Sequence, residues 1–485
     1  MWPEPLETMI PIVTPYLEST KQIILDAIPS KSHLYKSDTF DSENAFKNIA
    51  IQCVDIMSSI HPNYLLVAAT FVAAFFLLYI KMQYPFWNQV PALHTYDWHR
   101  RFLYSEKPYI INLLPKKTKY YESRLITTER FAQLSPKNHK ELTELLQNSY
   151  LPSDRVFCSI QLPDLAAQCA NALVSTYNQI ETEIYFPEEE GGGGGTASTK
   201  TSIRLFEGVI TSRPANVSIS FGAGESRYIV SEPAAFMDYL CFDRRASTSR
   251  KIRQLFHTHE CNQRLLSPAR NVTIFKKEVE LCEALVPLVQ YTAFTFYVRR
   301  QIKTTRMPKN WQIVRIQKEH QSHLYDYMSR VAALQEDIGF RVSIVAEVGD
   351  IINLLQTNQM FAYALRGPDE EVRDAVYAIY FFRNAHMKYE DLDAGDTIHF
   401  TGAFCNTKNT ELYFLGFLWA LMSAIKDLPN PPKMIMMDDI GHLRPIVRKW
   451  TESNDVVLRT PCAYYLCNYV VPKSPFREEE VILLL

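Results

Sequence analysis

The longest apolar stretch of the chain is a run of 17 consecutive residues without a charge at 64–80, YLLVAATFVAAFFLLYI. As an α-helix it would extend about 25 Å, near the lower limit for crossing a bilayer. The pattern predicts one transmembrane helix over 63–80, with a buried core helix as the alternative. Lys81, Arg100 and Arg101 follow the run closely, whereas Lys47 alone precedes it, which favours a single-pass membrane protein with a cytosolic C-terminal body.

Beyond residue 81 the pattern alternates between strand-like and helical segments. Strand-like runs occur at 202–210, 216–220, 372–382 and 433–437, and helical periodicity occurs at 138–148, 249–266 and 319–335. A second apolar run, at 412–425, has only 14 residues and predicts a buried helix. The acidic, glycine-rich tract at 188–200 predicts a solvated insertion. The interleaving favours an α/β or α+β body, preceded by an N-terminal region, 1–62, without an identifiable motif.

Composition narrows the functional class. The 485 residues are 47% hydrophobic and 21% charged, which excludes a disordered or polytopic membrane protein. The formal net charge of -2 argues against a nucleic-acid partner. Nine cysteines occur without a CxxC pair, so neither a disulfide framework nor a zinc site is expected. The string of His257, His259 and Cys261 suggests no metal site either, because helical neighbours two apart point in different directions.

The segment at 237–253, MDYLCFDRRASTSRKIR, carries the clearest candidate chemistry. A short apolar strand precedes a polar turn of small residues, which opens a helix near Ser249. Main-chain N–H groups at such a turn form an anion site, and Arg250 and Lys251 add charge for a phosphate. The alternative is a solvated basic helix start. Two strands joined around Pro214 precede this segment, and a strand at 271–275 follows it.

That order of elements resembles an acyl-CoA-dependent transferase of the GNAT type. Six stretches, in order over 84–485, resemble eukaryotic N-myristoyltransferase. They are YPFWNQVPALH at 84–94, LTELLQNSYLPSD at 142–154, GVITSRPANVSI at 208–219, MDYLCFDRRASTSRK at 237–251, PCAYYLCNYVVP at 461–472 and the ending VILLL at 481–485. The family's PPGW and LPKPVG segments have no clear counterpart in this chain. Such divergence with an added anchor suggests a large DNA virus as the source.

The resemblance implies an α/β (α+β) fold of two GNAT-like halves in a pseudo-twofold arrangement. The acyl-CoA half would cover 138–311, the peptide half 312–485, and 81–137 would form a linker and an arm over the acyl-CoA. The implied reaction transfers a myristoyl group from myristoyl-CoA to the N-terminal glycine of a protein or peptide, without a metal. The alternatives are a catalytically inactive membrane protein that binds or supports others, and an acyltransferase for another chain.

The resemblance also assigns roles to individual residues. Main-chain amides of Tyr239 and Leu240 would form an oxyanion hole, and the terminal carboxylate of Leu485 would be the base that takes a proton from the substrate amine. Thr273 would orient that amine, although YTA at 291–293 copies the family's local letters. The arm Pro85, Phe86 and Trp87 would cover the CoA, or else form an aromatic belt at a membrane interface. The other acyl-CoA candidates are Cys241, Phe242, Thr248, Arg250, Lys251 and Ile252, and the peptide candidates are Tyr297, Arg299 and Asp439.

Overall fold

The structure is a computed structural model. It describes residues 62–97, 100, 107–151, 156–178, 206–221, 228–298, 302, 304–317, 320, 322, 324–325, 328, 341–368, 375–389, 396–428 and 430–485. The region 1–61, the glycine tract at 188–200 and Arg299 lie outside the described residues. The chain divides into two units, Met1–Gln83 and Tyr84–Leu485.

The apolar run of the first unit lies in a 22-residue helix, α1, Pro62–Gln83. Phe71 and Phe75 on this helix are 72% and 73% exposed. Nowhere in the described part of the chain is there a helix long and apolar enough to cross a membrane. This finding corrects the transmembrane helix predicted over 63–80.

The second unit contains six further helices and seventeen strands among the described residues. The helices are α2 (Pro136–Ser149), α3 (Leu162–Gln168), α4 (Ser249–Leu266), α5 (Val348–Gln356), α6 (Thr410–Asp427) and α7 (Arg444–Ser453). The strands are β1 (Tyr109–Ile110), β2 (Ile126–Arg130), β3 (Val156–Cys158), β4 (Leu173–Asn178), β5 (Phe206–Phe221), β6 (Tyr228–Phe242), β7 (Val272–Glu278), β8 (Val289–Tyr297), β9 (Gln312–Arg315), β10 (Val342–Ala346), β11 (Met360–Gly367), β12 (Ala375–Tyr389), β13 (Asp396–Cys405), β14 (Met434–Asp438), β15 (Val456–Cys467), β16 (Tyr469–Val470) and β17 (Val481–Leu484).

One 15-stranded sheet forms the body, in the order β17-β10-β5-β6-β7-β15-β8-β14-β13-β12-β11-β9, with β2, β3 and β4 attached at its sides. The order repeats on either side of the β15–β8 pair. In both repeats an antiparallel pair, β5–β6 or β12–β13, leads to a parallel pair, β6–β7 or β13–β14. Helix α4 connects β6 to β7, and helix α6 connects β13 to β14. Each of these two helices has 18 residues. Strand β8 pairs with β14, and β15 pairs with β7. Each repeat is therefore extended by a strand from the other part of the chain.

Local sequence accounts for the ends of the main helices. The Oγ atom of Ser135 accepts the Asn138 N–H before α2, and Thr248 Oγ1 accepts the Lys251 N–H before α4, so two otherwise unpaired donors are satisfied. The predicted helices at 138–148 and 249–266 are confirmed. The run at 412–425 lies in α6 and buries one face against the sheet, as predicted.

The hairpin predicted around Pro214 is wrong. Pro214 lies inside the single 16-residue strand β5. On one edge of β5, β4 pairs as far as Ser212 and β10 pairs from Ala215 onward. A proline cannot donate a ladder hydrogen bond, and Pro214 falls where one neighbouring strand has ended and the next has not yet begun. The chain can therefore continue straight through it.

Candidate active site

A cavity of about 1100 Å³ opens where β6 and β7 separate. The two strands pair in parallel only as far as Met237 and Phe275. Beyond that point β6 stays paired with β5 to Phe242, while β7 follows β15 to Glu278. The gap between the diverging ends forms part of the cavity wall.

A bulge in β6 lies at this gap. Thr211 of β5 pairs with Asp238 and Val209 pairs with Cys241, so a single residue of β5 faces both Tyr239 and Leu240. Tyr239 has a φ of 47°, a left-handed conformation that is strained for a residue with a side chain. Bulges leave main-chain groups outside the regular ladder and occur next to active sites. Both residues line the cavity, at the position predicted for the oxyanion hole.

The bulge is held from behind. The Tyr239 hydroxyl donates to Gln168 Oε1, and the Tyr239 N–H donates to Asp238 Oδ1 at 3.0 Å. The other carboxylate oxygen of Asp238 accepts from Arg213 Nη2 at 3.1 Å. Burial opposes the charge on Arg213, but Asp238 outweighs it and raises the pKa of Arg213. The sequence analysis missed this ion pair, because 25 residues separate its two members along the chain.

The C-terminus reaches the same cavity. Strand β17 pairs in parallel with β10, and all four of its residues are buried. Leu485, which follows β17, is half-buried and lines the cavity together with the bulge. Two glycines allow β17 to approach closely: a Cβ at Gly402 would lie 3.0 Å from the carbonyl oxygen of Leu483, and one at Gly441 would overlap that of Val481. The bulge and the chain terminus, which are far apart in sequence, therefore share one site.

One part of the wall is apolar and aromatic. Trp87 stacks on Phe275 with ring centroids 6.0 Å apart, and Phe86 packs edge-on against Tyr120 and Phe256. Both arm residues line the cavity, which favours their predicted role as its cover over an aromatic belt. Pro85 is exposed and lies outside the lining.

Only part of the predicted phosphate loop lines the cavity. Ile252 lines the cavity, as do Ser249 and Arg253, two residues that the sequence analysis did not select. Lys251 points elsewhere, because its Nζ contacts Glu207 Oε2 at 2.6 Å. The remaining candidates lie outside the lining: Thr248 caps α4, Arg250 is exposed, and Cys241 and Phe242 pack into the core behind the bulge.

Among the described candidates, Thr273, Tyr297 and Asp439 lie outside the cavity lining. Thr273 is buried and donates to Gln263 Oε1 at 3.3 Å. In the YTA alternative, Ala293 lines the wall but Thr292 does not. Tyr297 is 51% exposed and outside the lining. Asp439 is also outside: its carboxylate lies 3.3 Å from the Arg444 guanidinium, and burial raises its pKa against that charge.

The residue next to Asp439 occupies the site instead. Asp438 lines the cavity with His399 and Lys276, and successive strand residues face opposite sides of a sheet. Burial would raise the pKa of Asp438, but Lys276 and His399 hold it below its usual value. Burial also opposes the charge on Lys276, yet Tyr291 and Asp438 outweigh it and raise the pKa of Lys276 well above its usual value. The polar part of the wall is therefore charged although it is buried.

A second titratable cluster lies on α4. The ligand-type atoms of His257, Glu260 and Cys261 lie within 4.8 Å of one another. His259 points away from this cluster and contacts the Ser175 hydroxyl at 2.8 Å. The prediction that the three side chains point in different directions is therefore right for His259 and wrong for His257 and Cys261. Glu260 is already paired with Arg264 at 2.9 Å, which leaves its carboxylate neutralised by a protein cation.

No protein-family model matches the sequence, and no curated protein sequence matches it. Solved structures do match. Two structures of Saccharomyces cerevisiae N-myristoyltransferase with bound myristoyl-CoA superpose on the chain with TM-scores of 0.55 and 0.57, at 8% and 9% sequence identity. The superpositions cover 81% and 83% of this chain and 94% of each yeast chain. They lend no support to a membrane anchor or a viral source. The chain therefore has a mixed α/β fold similar to that of N-myristoyltransferase.

Proposed function

We propose that this protein is an acyl-CoA-dependent N-acyltransferase that moves a myristoyl group from myristoyl-CoA to the N-terminal glycine of a protein or peptide. One observation carries the proposal: a buried terminal strand brings Leu485 into the cavity that also contains the Tyr239–Leu240 bulge. Ligand pockets commonly occupy about 300–1,000 Å³. A cavity of about 1100 Å³ has room for a fatty chain and the end of a peptide.

The wall separates the two kinds of contact that such a reaction needs. Phe86, Trp87 and Phe275 supply an apolar surface for the acyl chain. Arg253, in the first turns of α4, supplies a positive charge near the helix N-terminus, where a CoA phosphate would be favoured. The repeated strand order around β15 and β8 supports the interpretation of 138–311 and 312–485 as two related halves, one for each substrate.

The proposed mechanism uses a main-chain donor and the chain terminus. The Leu240 N–H at the β6 bulge stabilises the oxyanion that forms on the thioester carbonyl, and one such donor is typically worth about 3–4 kcal/mol in the transition state. The other predicted amide, that of Tyr239, already donates to Asp238, so the role falls to Leu240. A peptide α-amine has a pKa of about 8 and is mostly protonated at neutral pH. The Leu485 carboxylate takes one proton from it, after which nitrogen attacks the carbonyl carbon and the CoA sulfur leaves.

The test uses the full-length protein with myristoyl-CoA and a peptide that begins with glycine. We expect the peptide to gain the mass of one myristoyl group, and the same peptide with an acetylated N-terminus to gain nothing. Competition among acyl-CoAs of different chain length tests the preference for myristoyl. A protein that binds myristoyl-CoA but transfers nothing to any amine would instead be the catalytically inactive alternative.

A matched variant tests the role of the terminus. One glycine added after Leu485 moves the carboxylate by one residue, about 3.3–3.6 Å in an extended chain, and leaves every other side chain in place. We expect transfer to be lost and myristoyl-CoA binding to be retained. Full activity of the extended protein would refute the assignment of the Leu485 carboxylate as a base.

A further inference from the structure

The polar part of the cavity holds two residues to which the proposed mechanism gives no role. His399 lies on β13 and Asp438 at the end of β14, and these two strands pair in parallel. The Nε2 atom of His399 lies 3.4 Å from Asp438 Oδ2, and the side chains are 13% and 6% exposed. Both residues line the cavity with Leu485. The cavity that contains the chain terminus therefore also contains a buried histidine–carboxylate pair.

The polar atoms of this pair are not satisfied by the protein. Within the described part of the chain, His399 Nε2 and Asp438 Oδ1 have no well-formed hydrogen bond, although both are buried. A buried polar group without a hydrogen-bond partner destabilises the folded protein. Two such atoms on one cavity wall are expected where a polar substrate group completes the hydrogen bonding.

The surrounding charges set the protonation states of the pair. Burial lowers the pKa of His399, Asp438 on β14 opposes this effect, and Arg383 on β12 and Lys276 on β7 add to it. The imidazole is therefore neutral at pH 7 and able to accept a proton. Asp438 is ionised, because Lys276 and His399 hold its pKa below the usual value. A neutral histidine beside an ionised carboxylate is the arrangement that general bases use.

Acyl transfer to an ammonium group removes two protons from the nitrogen. The nitrogen loses its first proton before it attacks, and its second proton when the tetrahedral intermediate collapses to the amide. We propose that His399, oriented by Asp438, takes this second proton, a role that rests on the proposed acyltransferase function and leaves the first proton to Leu485. His399 is then a catalytic residue, and Asp438 is a positioning residue.

The step balances in atoms and charge. The ammonium, the thioester, the Leu485 carboxylate and the neutral His399 give the amide, the CoA thiolate, a protonated carboxyl group and an imidazolium. The C–N bond forms and the C–S bond breaks. One proton then passes to the CoA sulfur and the other to water, which restores both bases for the next turnover.

The test replaces His399→Gln in the full-length protein and measures transfer from myristoyl-CoA to a glycine-starting peptide across pH 5–9. General bases contribute about 10²–10⁴-fold, so we expect kcat to fall about 100-fold, with an unchanged Kd for myristoyl-CoA. We also expect the acidic limb of the wild-type kcat profile that reports His399 to disappear. The control is His139→Gln, because His139 lies on α2, outside the cavity lining, and contacts the Phe131 carbonyl oxygen.

A second variant keeps the test decisive if the first does not fold. Asp438→Asn removes the charge that opposes the lowered pKa of His399, so the acidic limb should move to lower pH. If the wild type transfers and His399→Gln retains its rate and pH profile, the inference alone is overturned, and an unchanged profile in Asp438→Asn has the same consequence. Absence of transfer by the wild type to any amine would overturn the proposed function and the inference together.

Discussion

The approach of the terminal strand to Gly441 gives the sharpest test of how the site is built. Gly441 has a φ of 53°, and a Cβ there would overlap the carbonyl oxygen of Val481, where β17 begins. We predict that Gly441→Ala is strongly destabilising. The left-handed conformation costs a residue with a side chain about 1–2 kcal/mol, and forcing a methyl into a packed contact costs about 1–3 kcal/mol. Together the loss is about 2–5 kcal/mol.

The measurement is urea-induced unfolding followed by intrinsic fluorescence. Gly349→Ala is the matched control, because Gly349 lies in α5 and a Cβ there meets nothing within 4 Å. A Gly→Ala change at a compatible position stabilises by about 0.4–1 kcal/mol, so the two variants should move the urea midpoint in opposite directions. In the cold, where Gly441→Ala remains folded, it should also transfer acyl groups poorly, because β17 carries Leu485. Equal midpoints for the two variants would refute the claim that Gly441 sets the position of β17.

Two other predictions concern the acyl-chain surface and the response to acid. Trp87→Ala removes the ring that stacks on Phe275 and with it part of the proposed acyl-chain surface. We expect a Kd for myristoyl-CoA about 10-fold weaker by titration calorimetry, a loss of about 1.4 kcal/mol. Tyr297→Ala is its control, and equal weakening in both would contradict the assigned surface. His257 and His259 have pKa values lowered by burial to about 4 and about 3. The unfolded chain binds protons at these two histidines below about pH 6.5, whereas the folded chain does not. The free energy of unfolding should therefore keep its full value above pH 6.5 and fall progressively as the pH is lowered toward 4. Urea midpoints of a His257→Gln, His259→Gln double variant should fall less over this range, and a slope as steep as that of the wild type would show that burial of these two histidines is not the cause.

Several site residues could be predicted because each lies in a recognisable local sequence motif. The stretch around Leu240 combines an apolar strand with a basic helix start, and the arm around Trp87 is a short aromatic motif. The apolar ending at 481–485 is typical of a buried strand. In each case neighbouring residues along the chain contain the information, and the structure brings these segments to the cavity.

Other assignments depended on the face that a strand presents. The sequence analysis selected Asp439, but Asp438 lines the cavity. Adjacent strand residues point to opposite sides of a sheet, and the sequence does not show which side faces the site. Thr273 failed for a different reason: it lies where β6 and β7 are still paired, and its side chain donates to Gln263 of α4. Lys251 of α4 was selected for its charge, but Glu207 of β5 neutralises that charge.

By itself, the sequence determined the helices α2, α4 and α6, a few strands of the body, the mixed α/β class and the apolar nature of the chain ending. These properties follow from hydrophobic periodicity and capping residues, which act over a few positions. Only the tertiary structure decided that β6 and β7 separate after Met237, that a bulge places Tyr239 and Leu240 at the gap, and that His399 faces Asp438. Strand register and the pairing of distant segments fix those relations, and both arise from packing across the whole sheet rather than from any local pattern.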